Sequence, residues 1–417
     1  MEKKKEKSWS WVPSLYFIQG LPYALVINIS IILYKKLDVS NADIAFYTSW
    51  LYFPWVIKPL WSPFVDLLKS KRWWVVTMQF VLGVCMAGVA FTIPTSFFFQ
   101  STLAFFWLVA FSSATHDIAA DGFYMLGLSK EKQAFFIGIR NTSFRLAMIF
   151  CQGALVMLAG YIEKTRNDIP LSWSVVFFIS ALILILGAVY HRFMLPRPVA
   201  DDSKSNQSFQ TIFKGFSETI SDFFSKKGIG IALIFILFYR FAEAQLLKLA
   251  SPFLLDNPNV GGLGLSTEKV GFLYGTLGPI ALITGGILGG IVISKHGLKK
   301  WIWPMALILN LSNLAYVYMA YTLPDSMFIT GLCVAVEQFG YGFGLTAYTM
   351  YLILFSDGKY KTSHYAFATG LMAAGMMFPG MISGWIQEQI GYQLFFVWVM
   401  ICTIPGFIAT ALVYRRL

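Results

Sequence analysis

The stretch Gly290-Ile-Val-Ile-Ser-Lys-His-Gly-Leu-Lys-Lys300 ends one long apolar run and begins another. Its first five residues are uncharged, and its last six hold three lysines around Gly297. It therefore reads as a short basic turn between two hydrophobic segments, near 268 to 294 and 300 to 322. Working outward, the same pattern recurs along the chain, with apolar runs near 11 to 34, 44 to 66, 73 to 93, 97 to 123, 134 to 161, 173 to 195, 228 to 254, 326 to 355, 364 to 387 and 392 to 414. Each has the roughly twenty residues that an α-helix needs to cross about 30 Å of hydrocarbon. Of the 417 residues, 57% are hydrophobic and only 13% are charged. The expected fold class is all-α integral membrane, with twelve transmembrane helices.

The 32 Lys and Arg against 21 Asp and Glu could suggest a nucleic-acid partner, but their placement decides otherwise. With the N-terminus inside, 22 of them fall in inner segments, five in outer loops (Lys35, Lys36, Lys164, Arg166, Lys269) and five inside spans (Lys58, Arg140, Arg145, Arg240, Lys248). This is the positive-inside asymmetry, with both termini cytoplasmic, and it accounts for the charge with no nucleic acid. The basic opening MEKKKEK precedes a run of full span length without a small-residue cleavage site, so a retained first helix is expected. Cys85, Cys151, Cys333 and Cys402 stand singly in spans, with neither disulfide nor zinc-site spacing. No metal or cofactor is expected. The absence of a nucleophile triad, a phosphate-binding loop or a large soluble domain argues against an enzyme.

The longest polar interval, 196–227, divides six spans from six, giving an N-terminal half (1–195), a linker and a C-terminal half (228–417). In the linker, Phe209, Ile212, Phe213, Phe216, Ile220, Phe223 and Phe224 recur at helical spacing. Such a helix lies either on the inner leaflet or against the bundle. The basic turn quoted above has an echo after span two, Pro63-Phe-Val-Asp66-Leu-Leu-Lys69-Ser-Lys71-Arg72. Together the two copies resemble the loop signature of the major facilitator superfamily. One copy has Ser294 where the acid stands and the other lacks the glycines. The resemblance implies two pseudo-symmetric six-helix halves that alternate access to a central site, with Asp66, Lys71, Arg72, Lys295 and Gly297 in gating loops. Gly285 with Gly289, Gly286 with Gly290, and Gly380 with Gly384 are small-xxx-small pairs suited to close helix contact.

An ionisable side chain at the bilayer centre costs about 2.5–3.5 kcal/mol, so each is a site candidate. Asp117 and Asp121 in span four are four apart and stack on one helix face, where two carboxylates can share a proton. The alternative is that they pair with Arg140 or Arg145 and hold spans four and five together. His116 points away from them. Arg240 and Glu243 in span seven can pair at i,i+3. Glu337 in span ten has no cation on its own helix. Glu337 and Glu243 lie nearer mid-membrane and are the better proton sites, and Arg145 and Arg240 are candidates for an anionic cargo. Gln19, Tyr23, Asn28, Tyr239, Gln338, Tyr341 and Tyr348 add amides and aromatic faces suited to sugar rings.

Nearly the whole chain resembles the AmpG muropeptide permeases, which group with the acetyl-coenzyme A transporters in that superfamily. The matching stretches are Gln19-Gly-Leu-Pro-Tyr-Ala-Leu25, Lys58-Pro-Leu-Trp-Ser-Pro-Phe-Val-Asp66, His116-Asp-Ile-Ala-Ala-Asp-Gly122, Phe144-Arg-Leu-Ala-Met148, Val336-Glu-Gln-Phe-Gly-Tyr-Gly-Phe-Gly344 and Gly380-Met-Ile-Ser-Gly-Trp-Ile386. The resemblance implies a bacterial inner-membrane importer driven by protons. Its cargo would be N-acetylglucosaminyl-1,6-anhydro-N-acetylmuramic acid, with or without peptide. It also implies that Asp117, Asp121, Glu243 and Glu337 are the family's acidic positions and that the default state is a monomer. The chain departs from the pattern in the apolar Phe123-Tyr124-Met125 that follows Asp121-Gly122, and in the extra charges Arg240 and Lys248. The alternative cargo is another oligosaccharide or sugar.

Overall fold

Helix starts in this chain are written by short polar residues. Ser40, Ser70, Asp168 and Ser266 each accept a hydrogen bond from the backbone N–H three residues on, satisfying a donor that a helix N-terminus leaves unpaired. The computed structural model describes residues 8–198, 201 and 209–417. Among these every regular element is helical: α1 (Ser8–Lys36), α2 (Asn41–Trp50), α3 (Phe53–Leu68), α4 (Lys71–Thr92), α5 (Phe98–Gly127), α6 (Lys130–Arg166) and α7 (Ile169–Met194). There follow α8 (Phe209–Ser225), α9 (Ile229–Leu255), α10 (Thr267–His296), α11 (Leu298–Thr322), α12 (Met327–Phe355), α13 (Lys361–Ile401) and α14 (Thr403–Tyr414).

Among the described residues ten continuous stretches are long and apolar enough to cross a membrane. The last, Ser363–Tyr414, runs to 52 residues and holds two spans, because Gly391 breaks α13 with φ 75°, a conformation that costs a glycine little. The second span is a further one, divided into α2 and α3 at Leu51 and Tyr52, so neither piece is long enough alone. Ten stretches, one of them double, plus the divided span make the expected twelve. Large apolar side chains point outward throughout, as with Phe91, Phe193 and Phe328 at 70%, 77% and 79% exposure. Lipid, unlike water, is a good solvent for them, while backbone polar groups are satisfied within the helices.

By packing the chain forms two units, Met1–Ile29 with Ile57–Lys214, and Ser30–Val56 with Gly215–Leu417. In the first, α4 lies against α5 and α7, and the N-terminal part of α1 lies against α6. Gly20 permits the latter approach, since a Cβ there would come within 2.8 Å of the Phe144 carbonyl oxygen and Ala147 Cβ. Beneath these helices Trp11, Tyr16, Phe123 and Phe136 form one apolar cluster.

The second unit takes in the C-terminal end of α1, all of α2 and the start of α3. α2 lies along α13, where a Cβ on Gly384 would overlap the Asn41 carbonyl. Asn41 Nδ2 donates to Gln387 Oε1 at 2.7 Å, and Lys35 Nζ lies 2.7 Å from Asp256 Oδ1. Tyr392 OH also donates to Asp256, at 2.6 Å. α10 and α12 meet through the expected Gly285 and Gly289, which face the Phe339 and Phe343 carbonyls, and through Gly342, which faces Leu282. The linker helix α8 is packed on the bundle: Phe223 is fully buried between Phe355, Phe367 and His364, and Phe216 meets Phe367. The side chains of Phe209, Ile212 and Phe213 lie outside the described residues. In the polar turn between α12 and α13, a hydrogen bond from Lys361 and its charge hold the Asp357 carboxyl below the usual carboxylate range.

Candidate functional site

In the first unit each aspartate of α5 has its own cation. Asp121 Oδ1 lies 3.1 Å from Arg140 Nη2 and accepts from Tyr16 OH at 3.2 Å. The Arg140 guanidinium also covers the Tyr16 ring at 4.5 Å and the Tyr124 ring at 5.5 Å, so α1, α5 and α6 share one cation. Asp117 is 3.8 Å from Lys58 Nζ of α3. The two carboxylates thus share a helix face, as their spacing requires, but a separate positive charge answers each. For Asp121 this is the pairing with Arg140 across spans four and five that the sequence allows, whereas Asp117 meets Lys58 of the second span rather than Arg140 or Arg145. Gly122 beside Asp121 makes room for the Lys71 side chain, whose Cε would be 2.8 Å from a Cβ there.

His116 faces away from Asp117 into a buried string that the sequence did not announce. Its Nε2 is 2.9 Å from Gln79 Nε2, Gln79 Oε1 is 2.8 Å from His191 Nδ1, and His191 Nε2 is 2.9 Å from Ser14 Oγ. The glutamine amide donates to His116 Nε2, which must then be the unprotonated nitrogen of a neutral ring, and accepts from His191 Nδ1–H. The string ties α1, α4, α5 and α7. The only sequence signal for it was a pair of histidines in otherwise apolar spans.

On α1, Gln19 is buried with Oε1 unpartnered among the described residues, while Tyr23 and Asn28 are half-buried. The helix widens to a π-turn over Leu25–Ile29. That extra residue per turn keeps Asn28, five positions on from Tyr23, near the same face, and such turns recur at functional sites. Arg145 on α6 is exposed and has no ion pair or hydrogen-bond partner among the described residues.

In the second unit α9 breaks at Tyr239 and Arg240, and the break turns Arg240 onto Glu243. The guanidinium forks the carboxylate, Nε to Oε2 at 3.0 Å and Nη2 to Oε1 at 2.8 Å, with both residues buried. Arg240 Nη2 further donates to Tyr341 OH at 3.2 Å. Glu337 on α12 is 1% exposed and accepts one side-chain hydrogen bond, from Gln338 Nε2 at 2.9 Å. No lysine or arginine approaches it within 4.0 Å among the described residues. Tyr239 and Tyr348 are stacked at 5.4 Å and bonded to the carbonyls of Gly344 and Ile236. They join α9 to α12 and leave no ring face open. Lys248 of α9 is 4% exposed, donates to Thr48 Oγ1 at 2.9 Å and lies over the Tyr52 ring.

The loop between α3 and α4 is fastened within its own unit. Asp201 carboxylate oxygens accept from the Lys71 and Arg72 backbone N–H groups at 2.6 and 3.0 Å, an anion at a helix N-terminus. Arg72 side-chain nitrogens donate to the Leu195 and Arg192 carbonyls. The side chain of Asp66 lies outside the described residues. In the matching loop Gly297 ends α10 at φ 79° and Lys295 is exposed, so the glycine of that signature is a helix stop.

Twelve apolar spans with charged groups buried inside them define a polytopic membrane protein. The model of the Major Facilitator Superfamily matches residues 14–384, and the chain belongs to that superfamily. It is 26% identical over 403 residues to the anhydromuropeptide permease of Escherichia coli K12, covering 94% of this chain and 77% of that one. Its fold matches an inward-facing, unoccupied bacterial homologue of the lysosomal transporter Spinster, with TM-score 0.73, 16% identity and coverage of 99% and 97%. It also matches a D-xylose–proton symporter, with TM-score 0.72, 11% identity and coverage of 97% and 96%.

Proposed function

We propose that this protein imports anhydromuropeptides across the bacterial inner membrane, with both termini in the cytoplasm, as a monomer driven by protons and requiring neither a cofactor nor nucleic acid. The observation that carries the cargo is the likeness to the anhydromuropeptide permease along 94% of the chain. In this reading the halves 1–195 and 228–417 move about the linker 196–227.

The coupling proton resides on Glu337. A charge buried there has no cation to offset its desolvation, so the side chain is stable as the neutral acid and ionises only when water or a cation reaches it. Glu243 and the two aspartates already have fixed cations. Arg240 is held by Glu243, whereas Arg145, exposed and without an ion pair among the described residues, is available to a cargo carboxylate. Tyr23, Asn28, Gln19, Gln338 and Tyr341 are the remaining polar contacts for cargo. The test is Glu337→Gln in proteoliposomes. Gradient-driven uptake should fall at least about tenfold, while exchange of labelled for unlabelled cargo, which needs no net proton movement, persists. Gradient-driven uptake at the native rate would remove Glu337 from the coupling.

A further inference from the structure

Helix α6 has two exposed strips of opposite chemistry. Phe135 and Leu146, 62% and 52% exposed, form an apolar one suited to lipid. Asn141 and Arg145, both exposed, form the other, and half-buried Gln152 continues it two turns on. Asn141 and Arg145 are four apart and so stack on one face. That face is roughly opposite Phe136, Ser143 and Ala147, which are buried in the first half of α6. None of the three polar side chains has a hydrogen-bond or ion-pair partner among the described residues. Arg145 stands fifteen residues into the helix, which starts at Lys130, about 22 Å along its axis from that end and about 31 Å from Arg166 at the other, against some 30 Å of hydrocarbon. From that depth it does not reach the interface by stretching, and an arginine left against lipid there is costly. The strip must therefore border water.

We propose that Asn141, Arg145 and Gln152 form a ladder that binds an elongated, carboxylated solute bearing amide groups along its length. The planar guanidinium takes the carboxylate in a two-pronged contact, and the carboxamides, which both donate and accept, take the amides on either side. The ladder spans eleven residues, about 16 Å, so it suits a solute of two or more sugar or amino-acid units rather than a single sugar. This deepens the muropeptide reading and rests on it for the cargo.

The test uses cysteine accessibility in the full-length protein, whose four native cysteines are all buried. Asn141→Cys, Arg145→Cys and Gln152→Cys are exposed in proteoliposomes to a charged methanethiosulfonate, with Leu146→Cys as the lipid-facing reference. The ladder predicts modification at least about tenfold faster at the three positions than at Leu146→Cys, slowed by the anhydrodisaccharide tripeptide. Rates equal to the reference at all three would overturn the ladder whatever the cargo is. Fast modification that neither the tripeptide, nor the peptide-free anhydrodisaccharide acid, nor short N-acetylated peptides slow would overturn its binding role. Protection by such peptides in a protein that does not import muropeptides would retire the cargo reading and keep the ladder.

Discussion

Glu337 and Glu243 are equally buried, 1% and 2% exposed, and what separates them is the neighbour. Glu243 has a forked arginine three residues before it, a pairing legible from the spacing alone. Removing one partner of a buried pair leaves the other charge uncompensated, at about 3–5 kcal/mol. Glu243→Gln should therefore lower the thermal midpoint in detergent clearly, whereas Glu337→Gln should leave it unchanged or raised. Equal midpoints for the two variants would contradict this division of roles. The sequence showed that Glu337 lacks a cation on its own helix, but not whether one arrives from another. That depends on tertiary placement, as does the pairing of Lys248 with Thr48, 200 positions away. Asp121 with Arg140 was one of two pairings the sequence allowed. The Gln79 string was beyond reach, because a lone glutamine in an apolar span carries no signal of its partners.

At the scale of elements, the periodicity located twelve spans but not the divisions within them. The break at Leu51 and Tyr52 and the π-turn in α1 leave the hydropathy profile unchanged, since both are local changes of backbone inside uniformly apolar sequence. Gly380 and Gly384 could be read as helix contacts, and the contact of Gly384 is with the start of α2. A side chain there must part α2 from α13, and overpacking of this kind costs about 1–3 kcal/mol. Gly384→Val is expected to lower the thermal midpoint and to break the contact that also holds Asn41 to Gln387. A disulfide introduced between α2 and α13, through Ala42→Cys and Glu388→Cys, should form in the native background and fail in Gly384→Val. Equal cross-linking in both would show that the close approach is not needed.

For the whole molecule, charge asymmetry, twelve spans and a repeated basic turn were enough to reach the superfamily from sequence. Packing then placed Ser30–Val56 with the C-terminal unit, a division that no count of hydrophobic residues contains, because it follows from contacts between distant segments. Cargo is the least determined by fold, since one architecture can serve unrelated solutes. The measurement that bears most directly on the central claim is uptake of labelled N-acetylglucosaminyl-1,6-anhydro-N-acetylmuramyl tripeptide into proteoliposomes, with an inward proton gradient and with that gradient collapsed. Proton-driven muropeptide import predicts accumulation in the first condition and its loss in the second. Uptake indifferent to the gradient would contradict the coupling, and no uptake by folded protein would contradict the cargo.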